Sequence, residues 1–228
     1  MGKLIVIEGT DGSGKSTQFR LLTERLAREG HEFRQLEFPQ YSEPSSALIK
    51  MYLNGEFGTN VGDVNAYAAT AFFAVDRYAS YKKFWGQWYE KGGLVLSGRY
   101  TTSNAVHQAS KEPEESWAGY WKWLSEFEYD QLGLPCPDLT IYLDVPTEYT
   151  EKMMRQREAD TNTTADIHEM DLEYLPPAVV AARKPQPSSA GLSSTVSVTT
   201  GCAPSRIFRK RSIAMWKRFF PKTNREFH

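Results

Sequence analysis

The chain has 228 residues and a formal net charge of −1, a length that suits one compact domain or a domain with a tail. With 40% hydrophobic and 13% aromatic residues, the composition argues against disorder along the whole chain. No apolar run approaches the roughly 18 residues that a membrane span needs. The small net charge hides an asymmetry: residues 176–228 sum to +9 and residues 1–175 to −10. Such a basic tail could serve nucleic-acid or membrane binding.

The N-terminus and the cysteines indicate a cytoplasmic protein. The first residues do not form the apolar core of a signal peptide, because Glu8 follows only four apolar residues. Cys136 and Cys202 are the two cysteines, too few for a disulfide framework or a zinc site. We therefore expect a reducing compartment.

The first half of the chain alternates strand and helix patterns. Leu4 to Ile7 is apolar and rich in β-branched residues, which predicts a buried strand. Apolar residues at helical spacing predict a helix from Ser16 to Arg28, and Phe33 to Phe38 predicts a second strand. A helix should follow from Pro44 to Gly55.

The same alternation continues to about residue 160. Periodicity predicts strands at 94–96 and 138–145, and helices at 64–90, 101–110, 114–131 and 147–158. Short apolar strands that alternate with helices predict an α/β fold, with a parallel sheet of about five strands flanked by helices. The carboxyl ends of such strands meet at one edge, where ligands bind.

A glycine-rich segment lies between the first strand and the first helix. Residues 9–16 fit the pattern G-x-x-x-x-G-K-[S/T], whose backbone N–H groups converge on phosphate oxygens. Lys15 should reach the β and γ phosphates, and the Ser16 hydroxyl should bind Mg²⁺. The predicted ATP and phosphate contacts are Gly9, Thr10, Asp11, Gly12, Ser13, Gly14, Lys15, Ser16 and Thr17.

The phosphate loop alone leaves ATPases, GTPases and small-molecule kinases open. No N-K-x-D guanine motif is present, and the strand at 94–98 ends without the acidic residue that would activate water. Arginines spread after several strands favour a kinase with an anionic acceptor, because cations must screen the repulsion between two phosphates.

Several blocks of sequence resemble the thymidylate kinase family, in its order and spacing over residues 4–175. The resemblance rests on the phosphate loop with its Asp11 and on the motifs Phe38-Pro39, Phe72-Phe73-Ala74-Val75-Asp76-Arg77, Arg99-Tyr100-Thr101-Thr102-Ser103 through Gln108, Leu134-Pro135 through Leu139, Tyr142-Leu143-Asp144-Val145 and Asp166-Ile167-His168-Glu169. It implies a P-loop fold with a short lid near 155–168, and ATP- and Mg²⁺-dependent phosphorylation of dTMP to dTDP.

The resemblance also implies roles for individual residues. Asp11 would hold the deoxyribose 3′-hydroxyl, and Phe73 would stack on thymine. Arg77 and Arg99 would bind the 5′-phosphate as planar forks. The remaining predicted substrate contacts are Phe38, Tyr100 near the sugar, and Ser103 and Gln108 near the base edge. Lys15, Arg99 and the lid arginines Arg155 and Arg157 are the predicted catalytic residues.

Each of these residues also has a plain structural interpretation. Phe73 on a long helix could belong to the core, and Arg77 alone could be a solvated helix charge. Arg99 is a stronger candidate, because it directly follows a buried strand at the expected ligand edge. Arg155 and Arg157 fit a solvated helix end as well as a functional lid.

Two departures from the family pattern affect these expectations, and the first concerns individual residues of the site. Gly98 stands where the family motif has Asp, which predicts weaker use of Mg²⁺ or a lower kcat. Tyr41 falls near the position of a family arginine, so one phosphate contact should be missing. A deoxynucleoside kinase is disfavoured because residues 38–41 offer no carboxylate base, and a nucleotide-binding relic without turnover remains a third possibility.

The second departure is the tail. Residues 176–204 are rich in Pro, Ser and Thr, which predicts a linker or disordered segment, and only 207–220 again fits a helix. We expect a kinase domain over 1–175 and an atypical tail over 176–228, with 176–212 translated out of frame. The basic charge then indicates a shifted reading frame, so neither nucleic acid nor membrane is an expected partner. A homodimer through the 64–90 helix is a further expectation from the family.

Overall fold

The computed structural model describes residues 1–145 and the backbone of 195–199. One five-stranded sheet is the centre of the fold, with the strand order β2-β3-β1-β4-β5. The first four strands run parallel, and β5 pairs antiparallel with β4. The strands are β1 (Lys3–Gly9), β2 (Phe33–Glu37), β3 (Leu94–Gly98), β4 (Leu139–Asp144) and β5 (Thr195–Thr199).

The helices of the described residues lie close to their predicted positions. They are α1 (Lys15–Arg28), α2 (Ala47–Leu53), α3 (Ala66–Ser80), α4 (Gly86–Glu90), α5 (Thr101–His107) and α6 (Trp117–Ser125). The predicted helix at 64–90 is α3 and α4 joined by a π-helical turn at Tyr81–Trp85, and a second π-helical stretch, Glu126–Gln131, extends α6. The predicted helix at 147–158 and the lid lie outside the described residues.

Alternate residues of the central strand β1 bury against opposite layers. Leu4 and Val6 pack with Trp85 in one cluster, whereas Ile5 packs with Leu26 of α1 in another. This alternation follows from the period of two in a strand. Both faces of the sheet are therefore covered, as the continuous apolar strands predicted.

One expectation about the chain beyond the core differs from the structure. The tail was expected to hold no strand, but β5 lies within it. The Ser and Thr content suggested a linker, whereas the β-branched Thr and Val residues of this segment favour an extended strand.

The strand register places the loops after β1, β2 and β3 side by side. Gly98 aligns with Ile7 of β1 on one side and with Glu37 of β2 on the other. The backbone continues this pairing past the strand ends, where Arg99 N–H donates to the carbonyl of Ile7 and Phe38 N–H donates to the carbonyl of Gly98, both at 3.0 Å. The predicted ligand edge is therefore formed.

We predict that α1 stabilises the fold through one face only. Leu26 is fully buried, whereas Leu21 on the same helix is 46% exposed. Leu26→Ala should lower the free energy of unfolding by about 2–5 kcal/mol, because it leaves a cavity in the core. Urea denaturation of both variants measures this, with Leu21→Ala as the matched control that should change stability by about 0.5 kcal/mol or less. Equal losses in the two variants would contradict the assignment.

Candidate active site

The phosphate loop follows β1 and leads directly into α1. Gly12 and Gly14 have φ angles of 74° and 83°, in the left-handed region that glycine adopts without strain. Gly9 allows close packing, since a Cβ there would lie 2.6 Å from Ser13 Oγ and 2.9 Å from the carbonyl oxygen of Leu143. The loop thus brings backbone N–H groups to the N-terminus of a 14-residue helix, an arrangement suited to phosphate.

A cluster of charged side chains lies beside this loop. Arg99 Nη2 donates to Asp11 Oδ1, and Lys15 Nζ donates to the carbonyl of Thr10 at 2.7 Å and lies 3.5 Å from Asp11 Oδ1. Glu8 is 1% exposed and accepts a hydrogen bond of 2.8 Å from Ser103 Oγ. Two cations and two carboxylates therefore meet at the carboxyl ends of β1 and β3.

Burial and mutual attraction shift the pKa values of this cluster. Burial alone would raise the pKa of Asp11, but Arg99 and Lys15 hold it well below its usual range. Burial, together with repulsion from Arg99, lowers the pKa of Lys15 to about 8. Burial also raises the pKa of Glu8. The cluster is thus a set of partly desolvated charges whose protonation depends on which anions approach it.

Arg99 is held in an unusual backbone conformation. Its φ angle is 65°, and among the described residues Arg99 is the only one other than glycine with a positive φ. Such a conformation is unfavourable for a bulky side chain. Ser97 Oγ donates to the Arg99 carbonyl at 2.7 Å. Arg99 Nη1 donates to Ser103 Oγ at 3.2 Å and lies 3.4 Å from His107 Nε2. The guanidinium is therefore positioned by β1, β3 and α5 together.

A cavity of about 820 Å³ opens beside the cluster. All the predicted substrate contacts line it, namely Asp11, Phe38, Phe73, Arg77, Arg99, Tyr100, Ser103 and Gln108. The structure therefore brings together residues from the loops after β1, β2 and β3 and from the α3 and α5 regions, which are far apart in sequence. Their individual roles in binding stay predictions.

The neighbouring phenylalanines of α3 have different environments. Phe73 lines the cavity and meets the ring of Tyr52 edge-on, with 6.3 Å between ring centroids. Phe72 packs against Tyr52 and Phe57 and is not among the cavity-lining residues. A flat ring at the cavity wall is suited to stacking on a base.

Gln108 has an unsatisfied polar atom at the same cavity. Its side chain is 1% exposed, and its Oε1 atom has no hydrogen-bond partner in the described structure. Because a buried acceptor without a partner is costly, such atoms usually serve a ligand or ordered water. Gln108 can therefore accept a hydrogen bond from a bound molecule.

Arg77 differs most from its expected environment. It is 2% exposed and donates through Nε and Nη2 to both carboxylate oxygens of Glu128, at 2.7 and 2.5 Å. Thr101 Oγ1 also donates to Glu128. The charge of Arg77 is therefore compensated within the protein, and its Nη1 atom makes no hydrogen bond with the described residues. A role for Arg77 on phosphate stays a prediction that relies on Nη1.

Tyr100 offers its ring rather than its hydroxyl proton to the cavity. The side chain is fully buried, and its hydroxyl donates to the carbonyl of Pro135 at 3.1 Å. The ring packs against Phe38 and Trp85. Tyr100 therefore forms part of the cavity wall, and its predicted contact with the sugar would come from the ring.

The residues at the loop are compatible with Mg²⁺ bound through a nucleotide. Within residues 1–145, no group of three or more His, Cys, Asp or Glu side chains could hold a metal ion. Mg²⁺ in kinases is held largely by substrate phosphates and water, with one or two protein ligands. Ser16 is exposed in the first turn of α1, so its hydroxyl is available as one such ligand.

Some predicted residues cannot be placed, and others were missed. Arg155 and Arg157 lie outside the described residues. The sequence patterns did not identify Glu128 or Glu37, although Glu37 lines the cavity. The signal for Glu128 was a single acidic residue between Phe127 and Tyr129 in an aromatic helix, where a buried charge requires a partner.

Fold and loop together place this chain among the P-loop nucleotide-binding proteins of the α/β class. A model of the thymidylate kinase family matches residues 7–175. The chain therefore belongs to the thymidylate kinase family.

Individual relatives agree with this assignment. The chain is 33% identical over 174 residues to the thymidylate kinase of Mycobacterium tuberculosis, covering 75% of this chain and 79% of that protein. It is 30% identical over 144 residues to human thymidylate kinase, covering 63% and 61%. The solved thymidylate kinase of Candida albicans has the same fold, with a TM-score of 0.59 and 23% identity over 79% of this chain and 76% of the other.

We predict that the buried pair of Arg77 and Glu128 is essential for stability. Glu128→Ala should lower the free energy of unfolding by about 3–5 kcal/mol, because it leaves a buried guanidinium unpaired. Glu43→Ala is the matched control, since Glu43 pairs with the exposed Lys83 at 2.7 Å and should change stability by less than about 1 kcal/mol. Chemical denaturation compares the two variants, and similar losses would contradict this prediction.

Proposed function

We propose that this chain transfers the γ-phosphoryl group of ATP to dTMP, yielding dTDP and ADP. The observation that carries the proposal is the cavity beside the phosphate loop, which gathers the residues expected to contact the acceptor. Family membership supports the same reaction. ATP would bind at the phosphate loop and dTMP in the cavity, with Arg99 and Lys15 between them.

The charge cluster supports the chemistry of this transfer. Phosphoryl transfer needs fixed cations where negative charge is concentrated. Arg99 and Lys15 already lie together, and Asp11 compensates them when no phosphate is bound. An arriving phosphate would compete with Asp11 for Arg99, which frees the Asp11 carboxylate to accept a hydrogen bond from the sugar 3′-hydroxyl. His107 remains neutral beside Arg99, because burial lowers its pKa to about 3.

The far end of the cavity would select the base. Phe73 offers a ring for stacking, and Gln108 Oε1 is an acceptor that matches the N3–H group of thymine. Arg77, whose side chain Glu128 holds in place, would donate from Nη1 to the 5′-phosphate rather than to the base. Ser103 is fixed by Glu8 and Arg99, which suits it to position Arg99.

Mg²⁺ is proposed as the metal of this reaction. Ser16 would hold it together with the nucleotide phosphates, and the ion would supply charge neutralisation across the phosphates. Lys15 would orient the transferring group, and a lid arginine, Arg155 or Arg157, would complete the cationic surroundings.

The wider setting is also proposed from the sequence. The kinase domain would comprise residues 1–175, with an atypical tail at 176–228 whose segment 176–212 is out of frame, and a homodimer would form through the 64–90 helical region. No helix of the described residues is long and apolar enough to cross a membrane. ATP and dTMP are the proposed partners, and the proposed compartment is the cytoplasm.

The reaction is tested by measuring ADP release with dTMP, with thymidine and without an acceptor. We expect release that depends on dTMP, because the cationic cluster is matched to a phosphate rather than to a hydroxyl group. Lys15→Ala should lower kcat by about 10²–10³-fold, because it removes the positive charge that would contact the transferring phosphoryl group. Arg99→Lys should raise KM for dTMP by roughly tenfold, because lysine lacks the planar fork.

The acceptor comparison separates the alternatives. Release stimulated by thymidine but not by dTMP would indicate a deoxynucleoside kinase. Nucleotide binding without release under any condition would indicate a relic without turnover. Lys50→Ala is the control for the loss of a positive charge, since Lys50 contacts the carbonyl of Tyr41 on the exposed side of α2.

We further predict that nucleotide binding is coupled to proton uptake. The pKa of Lys15 is about 8 without phosphate, and phosphate oxygens beside it should raise this value. At pH 8.5 Lys15 is therefore only partly protonated in the free protein, and it takes up a proton when the nucleotide binds. Calorimetry of ADP binding in buffers of different ionisation enthalpy should show uptake in the wild type and none in Lys15→Ala. Equal uptake in both proteins would contradict the assignment to Lys15.

A further inference from the structure

The carboxyl end of β3 lacks a carboxylate at Gly98. A side chain at this position would fit, because a Cβ built there would meet Glu37 Cγ at 3.7 Å and the Leu36 carbonyl oxygen at 3.9 Å, both ordinary contacts. The φ angle of Gly98 is not positive. Nothing in the local geometry therefore requires glycine at this position. An acidic side chain of the neighbouring strand already lies beside it.

That side chain belongs to Glu37, the last residue of β2. Glu37 is the direct register partner of Gly98, and its Cγ is the side-chain atom nearest to the position of a Cβ at residue 98. Side chains of register partners in neighbouring strands point to the same face of the sheet. The Glu37 carboxyl group, one bond beyond Cγ, therefore serves the same region that a carboxyl group at residue 98 would serve.

Glu37 also differs from the other carboxylates that line the cavity. Asp11 is paired with Arg99, and Glu43 is paired with Lys83. Glu37 lines the cavity, and its side chain makes no ion pair or hydrogen bond with the described residues. A single exposed carboxylate at the ligand edge is available to bind water or cations.

We propose that Glu37 supplies, from the neighbouring strand, the carboxylate that this kinase centre lacks at residue 98. It would accept hydrogen bonds from water molecules bound to the divalent ion on the nucleotide phosphates, and so fix their orientation. This inference rests on the proposed function. Glu37 is thus a positioning residue, because it would act through water rather than touch the reacting atoms.

The competing interpretation is that Glu37 is only a solvated charge at the end of a strand. Glu32 distinguishes the two, because it is also exposed and lies just before the opposite end of β2. Glu32→Gln therefore makes the same change in charge on the same strand, far from the ligand edge. A solvated charge at residue 37 would behave like Glu32.

The test measures Mn²⁺ binding to the complex of the full chain with ADP by electron paramagnetic resonance, together with kcat. Four variants are compared with the wild type: Glu37→Gln, Glu32→Gln, Gly98→Asp and the double variant with Glu37→Gln and Gly98→Asp. Glu37→Gln should weaken Mn²⁺ affinity and lower kcat by at least tenfold, as loss of groups that orient metal ligands does. Glu32→Gln should leave both unchanged.

The double variant gives the decisive comparison. Gly98→Asp should restore most of the loss in the Glu37→Gln background and have little effect in the wild type, because the two carboxylates would serve one place. Equal effects of Gly98→Asp in both backgrounds, or a Glu37→Gln variant that matches Glu32→Gln, would overturn the proposal. Failure of the kinase function itself would differ, since the wild type would then release no ADP with dTMP while Mn²⁺ binding could still be measured.

Discussion

The ion pair between Asp11 and Arg99 is the interaction on which the site depends. It joins the phosphate loop after β1 to the first residue after β3, and burial makes each charge depend on the other. A buried charge without a partner costs several kcal/mol. The pair therefore keeps the loop and the arginine in register before any phosphate arrives, and the unfavourable backbone of Arg99 is tolerated because three elements hold its side chain.

The sheet makes this pairing possible. Parallel strands bring their carboxyl ends to one edge, so Asp11 after β1, Glu37 at the end of β2 and Arg99 after β3 line the same cavity. The layers of apolar side chains on both faces fix the strand register, since a shift by one residue would exchange the side chains that pack against the two layers. Because core packing fixes the register, it also fixes the distances between the charged residues at the carboxyl edge of the sheet.

Local patterns were sufficient for the elements and for the loop. The phosphate loop could be predicted because its glycines, lysine and helix lie within a few residues, and the motif at residues 72–77 located Phe73. The partner of Arg77 could not be predicted in this way, because Glu128 is 51 residues away and belongs to no motif. Likewise, β5 was not predicted because of the Ser and Thr content of the tail, although its Thr and Val residues favour a strand and it pairs with β4 from far along the chain. Long-range pairs were therefore the main gap.

The buried pair of Arg77 and Glu128 also limits how this cavity can evolve. If either residue were replaced, the other would remain as an unpaired charge in the interior, so a single change at one position costs stability whatever it does to the cavity. Only a replacement of both residues, for example by an uncharged pair, avoids leaving an unpaired charge. Arg77 on the cavity wall and Glu128 therefore tolerate replacement only as a pair, although 51 positions of sequence separate them.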